Sequence, residues 1–194
     1  SSVYGEPKVM PMVEDLPPNP LSPYACNKLI GENYCNVFAS VYKVGTVSLR
    51  YFNVYGDRMA VYGGQYRLAP GIFAQQLLED KPITIRGSGE QRRDFTHVDD
   101  VVSANLLAAD SNLSGEVFNV GNADNRSVLD LAALFDSPHD YEFTPKVLEP
   151  FETLACNHKI KNVLGWETTG NIDEFMAATL ALDLSGKSRA EATS

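Results

Sequence analysis

The stretch TVSLRYFNVYG, residues 46 to 56, is close to continuously apolar around Leu49 to Val54 and rich in β-branched and aromatic residues. A strand that is apolar on both faces needs cover on both faces, and that arrangement belongs to parallel sheets flanked by crossover helices. The segment before it supplies one such helix. In SPYACNKLIGENYCNVFASVY, Ile30, Tyr34, Val37, Phe38 and Val41 fall at i, i+4, i+7, i+8 and i+11, an amphipathic stripe. Ser22 reads as its N-cap and Pro23 as its first helical residue.

The same alternation continues along the chain. A loop with Gly63-Gly64 leads to a helix from about Ala69 to Glu79, the short strand ITIRG and a turn at Gly87-Ser88-Gly89. A strand near Asp94 to His97, a helix from about Asp99 to Ala109 and a strand at Val117 to Val120 follow. The remainder gives the helix SVLDLAALF, a strand near Tyr141 to Thr144, a short helix ending before Gly165-Trp166 and a last helix from about Ile172 to Leu184. Alternating strands and helices predict an α/β fold with parallel strands. Pro7, Pro11, Pro17, Pro18 and Pro20 forbid a regular helix in residues 1 to 22, which read as a long surface connection after a strand end at Val3-Tyr4. The polar tail SGKSRAEATS reads as disordered.

With 194 residues, 44% of them hydrophobic, the chain can bury a core as one domain, or one domain with a small lobe. Its 25 acidic and 16 basic residues give a net charge of -9, and no basic cluster exceeds Arg92-Arg93. That excludes the electrostatic footprint of a nucleic-acid or anionic-membrane binder. No apolar run reaches the roughly 20 residues of a membrane span, and no signal segment opens the chain. Cys26, Cys35 and Cys156 form no framework and read as small buried hydrophobes in a reducing compartment, the first two pointing to opposite sides of one helix. His97, His139 and His158 lack metal-ligand spacing, so no metal site is expected.

Tyr-x-x-x-Lys occurs twice, at Tyr4 to Lys8 and at Tyr24 to Lys28. On a helix that spacing puts both side chains on one face, where an ammonium favours a phenolate over a phenol and the positive helix end adds to the effect. Gly5 and Pro7 break any helix between the first pair. Tyr24 and Lys28 lie in the first turns of a capped helix, and only they are placed for acid/base work.

The series SSVYG, SPYACNK, LRYFNVYGDR, ITIRGSGEQRRDFTHVDDVV, VFNVGN and NVLGW resembles the extended short-chain dehydrogenase/reductases, and within them the NAD-dependent nucleotide-sugar epimerase/dehydratase group. The segments stand in family order over most of residues 1 to 185. The resemblance implies an incomplete Rossmann-type parallel sheet with a small α/β substrate-binding lobe. Residues 1–57 and 94–122 would be the remainder of the NAD-binding domain with its catalytic helix, and 58–93 and 123–185 the nucleotide-sugar lobe, ahead of a disordered tail at 186–194. No G-x-G-x-x-G stands between a strand and a helix in these 194 residues. The chain therefore reads as the C-terminal part of such an enzyme, starting inside the strand that carries the catalytic Ser/Thr, with Ser1 and Ser2 beside that position.

Carried over residue by residue, the resemblance makes Tyr24 the base for the sugar 4-hydroxyl and Lys28 the partner that holds the nicotinamide ribose of NAD. Tyr51 and Phe52 would pass the nicotinamide, and Asn53 would offer its amide to the sugar diphosphate. Leu68 and Pro70 would enclose the nucleotide, and Arg93 would grip the diphosphate as a permanently charged fork. Arg92 reads as a surface residue, Asp99 as a helix cap and His97 as a structural hydrogen-bonder. Where the family has R-x-G-D, this chain has Lys146-Val147-Leu148-Glu149, so Lys146 and Glu149 are the candidate phosphate and ribose ligands. The acidic pair of the dehydratases is absent at Ser1-Ser2, which favours epimerisation over dehydration. The resemblance implies a cytoplasmic, UDP-sugar-specific 4-epimerase pairing as a homodimer through the Tyr24 to Tyr42 helix, the 194 residues alone being a poor enzyme. A non-catalytic nucleotide-sugar-binding module and a nucleotide-sugar reductase or decarboxylase remain the alternative readings.

Overall fold

The computed structural model describes residues 1–57, 59, 68–135 and 137–184, with side chains to residue 178. The Gly63-Gly64 loop and the tail from residue 185 lie outside the described residues. Within them the chain is a mixed α/β structure with parallel strand pairs.

The helix α1, Pro23–Ser40, starts where the sequence sets it, with Ser22 Oγ accepting from the Ala25 N–H at 3.1 Å and Pro23 at its start. The strand β1, Val47–Tyr51, runs parallel to β5, Glu116–Val120, in the register Val47 to Glu116 through Tyr51 to Val120. The long apolar stretch is not one strand, however. It breaks at Phe52, whose N–H donates to Val120 O, and resumes as β2, Asn53–Tyr55, parallel to β4, Arg92–His97. The helix α2, Ala69–Leu78, and the strand β3, Thr84–Arg86, precede β4, and α3, Val98–Asp110, connects it to β5. The chain then forms β6, Asn125–Ser127, α4, Val128–Ala133, and β7, Glu142–Thr144, which pairs parallel with β3. It ends in α5, His158–Leu164, and α6, Ile172–Leu184.

Two apolar cores divide this frame. Phe118, Val120, Ile160 and Trp166 pack under β1 and β5, while Phe73, Ile85, Phe95, Leu131 and Met176 fill the space between α2, β4, α4 and α6. A third cluster, Val3, Tyr4, Met12, Phe52 and Ala155, anchors the proline-rich segment. Gly121 permits a close approach between β5 and the segment that bridges Met12, since a Cβ there would stand 2.3 Å from Ala155 Cβ.

Several expectations are corrected. Ser2–Tyr4 is a 3₁₀ turn rather than a strand end, closed by Tyr4 N–H to Ser1 O and Gly5 N–H to Ser2 O, with Gly5 at φ 63°. β6 is an unanticipated strand, and it pairs antiparallel with β4, so the sheet is not wholly parallel. The N-cap of α3 is His97, whose Nδ1 accepts from the Asp99 N–H at 3.2 Å; Asp99 lies inside the first turn. Cys26 is exposed, and Cys35 and Cys156 are half-buried, so none is a core residue.

The largest correction concerns α1. Its apolar stripe faces outward, with Tyr34 62% and Val41 64% exposed. The face turned to the sheet carries Ala25, Leu29, Glu32, Cys35 and Ala39. Small residues allow close approach there, Ala39 Cβ lying 3.5 Å from the Cβ position of Gly115, and Thr46 Oγ1 donates to Cys35 O.

Asp94 is fully buried in β4 and ties three segments together. Its carboxylate accepts the N–H groups of Asn122 at 2.8 Å, Ala123 at 3.0 Å and Ala155 at 2.9 Å. Burial pushes this carboxyl up to about 6 from the ordinary 3.8, against the opposing pull of those three donors. Because the folded value is the higher one, this group favours the native state most below about pH 4, and the contribution is lost as pH rises through about 6. The Asp94 carboxyl carbon is therefore expected to titrate in NMR with a midpoint near 6 rather than 3.8. Asp94→Asn turns an amide N–H toward a backbone N–H, and urea denaturation should show a loss of about 1–3 kcal/mol for each orphaned donor. A midpoint at the ordinary value, or an unchanged urea transition, would contradict this account.

Candidate functional site

Two cavities flank the break between β1 and β2. The first, about 280 Å³, is lined by Ser1, Ser2, Tyr24, Lys28 and Tyr51, together with Glu32 and Arg50. The first turns of α1 present Tyr24 and Lys28, and Lys28 Nζ stands 5.2 Å from the centre of the Tyr24 ring. Tyr51, the last residue of β1, donates from its hydroxyl to Asn105 Oδ1 at 2.9 Å. The Ser1 nitrogen donates to Tyr51 O, which brings the serines against the same strand end.

Glu32 lies one turn beyond Lys28, and Arg50 takes it with Nε at 2.9 Å and Nη2 at 2.5 Å. Arg50 also donates to Glu14 O and stacks 4.6 Å above the Tyr4 ring. Burial alone would lower the Arg50 pKa, yet its contacts with Glu32 and Tyr4 raise it above the ordinary range. Burial has the opposite effect on the Tyr4 phenol and raises its pKa; the Tyr4 hydroxyl donates to Asn119 Oδ1 at 2.6 Å. The helix bearing Tyr24 and Lys28 is thus bolted to β1 by a buried ion pair.

The second cavity, about 370 Å³, opens between α2, β3, β4 and β6 and brings together Asn53, Leu68, Arg93 and Glu149. Arg93 donates from Nη1 to Arg92 O and Phe151 O, and its Nη2 meets Glu149 Oε2 at 3.1 Å. Arg86 and Arg126 line the same space. Arg126 is held by Asp173 and Asp124, which raise its pKa above the ordinary range.

Other residues named from the sequence stand elsewhere. Phe52 points the opposite way from Tyr51 and Asn53, into the core with Val3, Met12 and Ala155, and is only 3% exposed, so it reaches neither cavity. Pro70 is buried in the first turn of α2, behind the lining residues Leu68 and Ala69. Lys146 is exposed beside Gly87, outside the cavity lining. Arg92 is half-buried and structural, gripping Asn125 through Nε and Nη2. A larger, open hollow of about 630 Å³ sits at the far end of α1, and its one ionisable lining residue, Lys43, already donates to Ser40 O.

Sequence reasoning missed Glu32, Arg50, Arg86 and Arg126. Two signals were present: an arginine inside an apolar strand, and a glutamate four residues after Lys28. Among the described residues, no group of three or more His, Cys, Asp or Glu is arranged to hold a metal ion, and no helix is long and apolar enough to cross a membrane.

A helix-borne Tyr-Lys pair thus stands at a parallel strand end, beside an arginine-lined cavity in an α/β fold. The chain belongs to the NAD dependent epimerase/dehydratase family, whose sequence model matches residues 1–121. It is 35% identical over 184 residues to a UDP-glucose 4-epimerase of Mycolicibacterium smegmatis, covering 92% of this chain and 58% of that protein. A Thermotoga maritima UDP-glucose 4-epimerase solved with UDP-glucose superposes with a TM-score of 0.86 at 33% identity, over 95% of this chain and 61% of the other. A Bacillus cereus UDP-glucuronic acid 4-epimerase solved with its namesake substrate and NAD gives 0.81 at 36% identity, over 96% and 60%. The chain thus spans about 60% of the length of these proteins.

Breaking the Arg50–Glu32 pair, 6% and 10% exposed at its side chains, should cost far more stability than breaking the surface pair Lys81–Glu79. Glu32→Ala leaves Arg50 buried without its partner and is expected to lower unfolding free energy by about 3–5 kcal/mol in urea titrations. Glu79→Ala should cost about 0–1 kcal/mol. Equal effects would remove the positioning role given to Arg50.

Proposed function

We propose that this chain carries the proton-transfer and substrate-holding residues of an NAD-dependent enzyme that inverts C4 of a UDP-activated hexose. One observation carries the reading. Tyr51 lines the Tyr-Lys cavity and Asn53 lines the arginine cavity, and two residues of extended chain span at most about 7 Å. A sugar at Tyr24 and a diphosphate at Arg93 then fit a single extended ligand. The relatives named above, two of them solved with UDP-sugars, support the same substrate class.

The residues present fit the nicotinamide end of NAD. Lys28 offers donors for ribose oxygens in a cavity closed on one side by Tyr51. NAD, when bound, supplies a reversible hydride acceptor for C4, so that the sugar passes through a 4-keto state. Tyr24 takes the proton from the C4 hydroxyl and returns it at the end. Lys28, through its positive charge, stabilises the phenolate that Tyr24 must be before it takes the proton and becomes again when it returns it. Ser2 contacts the same hydroxyl from the strand side. Asn53 and Arg93 hold the diphosphate, and Leu68 covers the nucleotide. A Gly-rich pyrophosphate turn is not among these 194 residues, so the cofactor's other end requires further polypeptide.

The outward stripe of α1 fits a second copy of the chain. Ile30, Tyr34, Val37, Phe38 and Val41 form one exposed apolar band that a two-fold partner would cover with its own. Phe38→Glu should shift the mass in light scattering from dimer to monomer, and an unaltered dimer would exclude this face.

In preparations that release NAD on denaturation, Tyr24→Phe is expected to cut C4 epimerisation of UDP-hexose by about 10²- to 10⁴-fold. UDP affinity by calorimetry should stay within about tenfold, because the hydroxyl serves the reaction more than binding. Undiminished turnover would remove Tyr24 as the base, and a wild-type chain with no affinity for UDP would remove the substrate class.

A further inference from the structure

Arg93 and Arg126 are directly opposed in the antiparallel register of β4 and β6, and both line the 370 Å³ cavity. Opposed residues leave a sheet on one face with Cβ atoms about 4.5–5.5 Å apart, and like charges in that relation destabilise the pair. An apolar residue at position 126 would avoid the repulsion. Instead, carboxylates brace the two cations: Glu149 at 3.1 Å from Arg93, and Asp124 at 2.7 Å and Asp173 at 2.8 Å from Arg126. Asp124 and Asp173 are not among the residues that line the cavity, and the one carboxylate among its described lining residues, Glu149, is taken by Arg93.

Donor counting points the same way. A guanidinium has five N–H groups. Arg126 directs Nε and one Nη2 N–H at Asp173 and both Nη1 N–H groups at Asp124 and Asn125 O, which leaves one Nη2 donor. Arg93 directs Nη1 at two carbonyls and Nη2 at Glu149, which leaves Nε–H and one Nη2 donor among the described contacts. Two adjacent cations with donors to spare on both suit the non-bridging oxygens of two linked phosphates. Lys146, outside the lining, is not so placed.

Resting on the nucleotide-sugar reading above, we propose that Arg126 is the second arginine of a diphosphate clamp whose first is Arg93. The clamp is built across adjacent strands and takes the role that the sequence pattern would assign to position 146.

The test is calorimetric titration of the 194-residue chain with UDP and with uridine, for wild type, Arg93→Gln, Arg126→Gln, Asp173→Asn and Lys146→Ala. Arg126→Gln is expected to weaken UDP about 10- to 100-fold, as a lost charge-assisted contact does, and uridine by less than about twofold. Asp173→Asn removes the main brace of Arg126 but keeps the cation, and UDP should stay within about threefold; Lys146→Ala should do the same. If Arg126→Gln keeps wild-type UDP affinity while Arg93→Gln loses it, the clamp is overturned and the nucleotide-sugar reading stands. If Asp173→Asn loses as much as Arg126→Gln, Arg126 acts only by holding α6, which also overturns the clamp. Failure of the wild-type chain to bind UDP would overturn the clamp and the reading together.

Discussion

The buried carboxylate of Asp94 is the constraint on which the arginine cavity depends. Side chains alternate along β4, so holding Asp94 inward against three backbone N–H groups aims Arg93 and Phe95 to the opposite face, where both line the cavity. The same carboxylate fixes Asn122 and Ala123, the turn that leads into β6, and so sets the register that brings Arg126 opposite Arg93. Its third partner, Ala155, belongs to the segment that bridges Met12, which draws the proline-rich arm onto the sheet. Removing a buried charge from water is costly, and here the return is a defined geometry at three chain crossings.

A second buried charge, the Arg50–Glu32 pair, does for α1 what Asp94 does for β4. It sets the rotational phase of the helix. With Glu32 turned to the sheet, Ala25 and Cys35 face inward too, and the apolar stripe is carried to solvent. Lys28, one turn before Glu32, is delivered to the cavity by the same rotation. An apolar pair at positions 32 and 50 would be as stable or more so, but hydrophobic contacts tolerate slippage that a bidentate ion pair does not.

The local parts of this structure were legible in the sequence. Ser22 and Pro23 mark the start of α1 by capping chemistry that needs no tertiary information, and the alternation of apolar runs fixes the α/β class. The resemblance placed Asn53, Leu68, Arg93 and Glu149, and one cavity gathers them. What was missed depends on partners distant in sequence. Periodicity found the stripe on α1 but cannot say which face meets the sheet when an ion pair 18 residues away decides it. The cap of α3 was displaced to His97 because an imidazole can accept as an aspartate does, and the motif offered both. β6 is three residues long, Asn-Arg-Ser, with no strand composition; its existence follows from Asn125 and Ser127 being buried against β4. Arg126 was therefore unreadable as a cavity residue before the register was known.

The break at Phe52 joins these two rigid parts. A strand that continued unbroken would keep β5 as its neighbour; the change of partner from β5 to β4 places Tyr51 on one sheet pair and Asn53 on the other. Phe52 itself holds the junction by filling the core below it and by its N–H bond to Val120 O. The distance from the Tyr-Lys cavity to the arginine cavity is then set by covalent chain and core packing, with no loop free to adjust it. In the proposed reaction, grip on the diphosphate translates directly into position of the sugar at Tyr24, so binding contacts far from C4 bear on turnover as well as affinity. A ligand one sugar carbon longer or shorter between phosphate and reacting centre would be misplaced at Tyr24 however tightly Arg93 held it, and selectivity would reside in that fixed spacing.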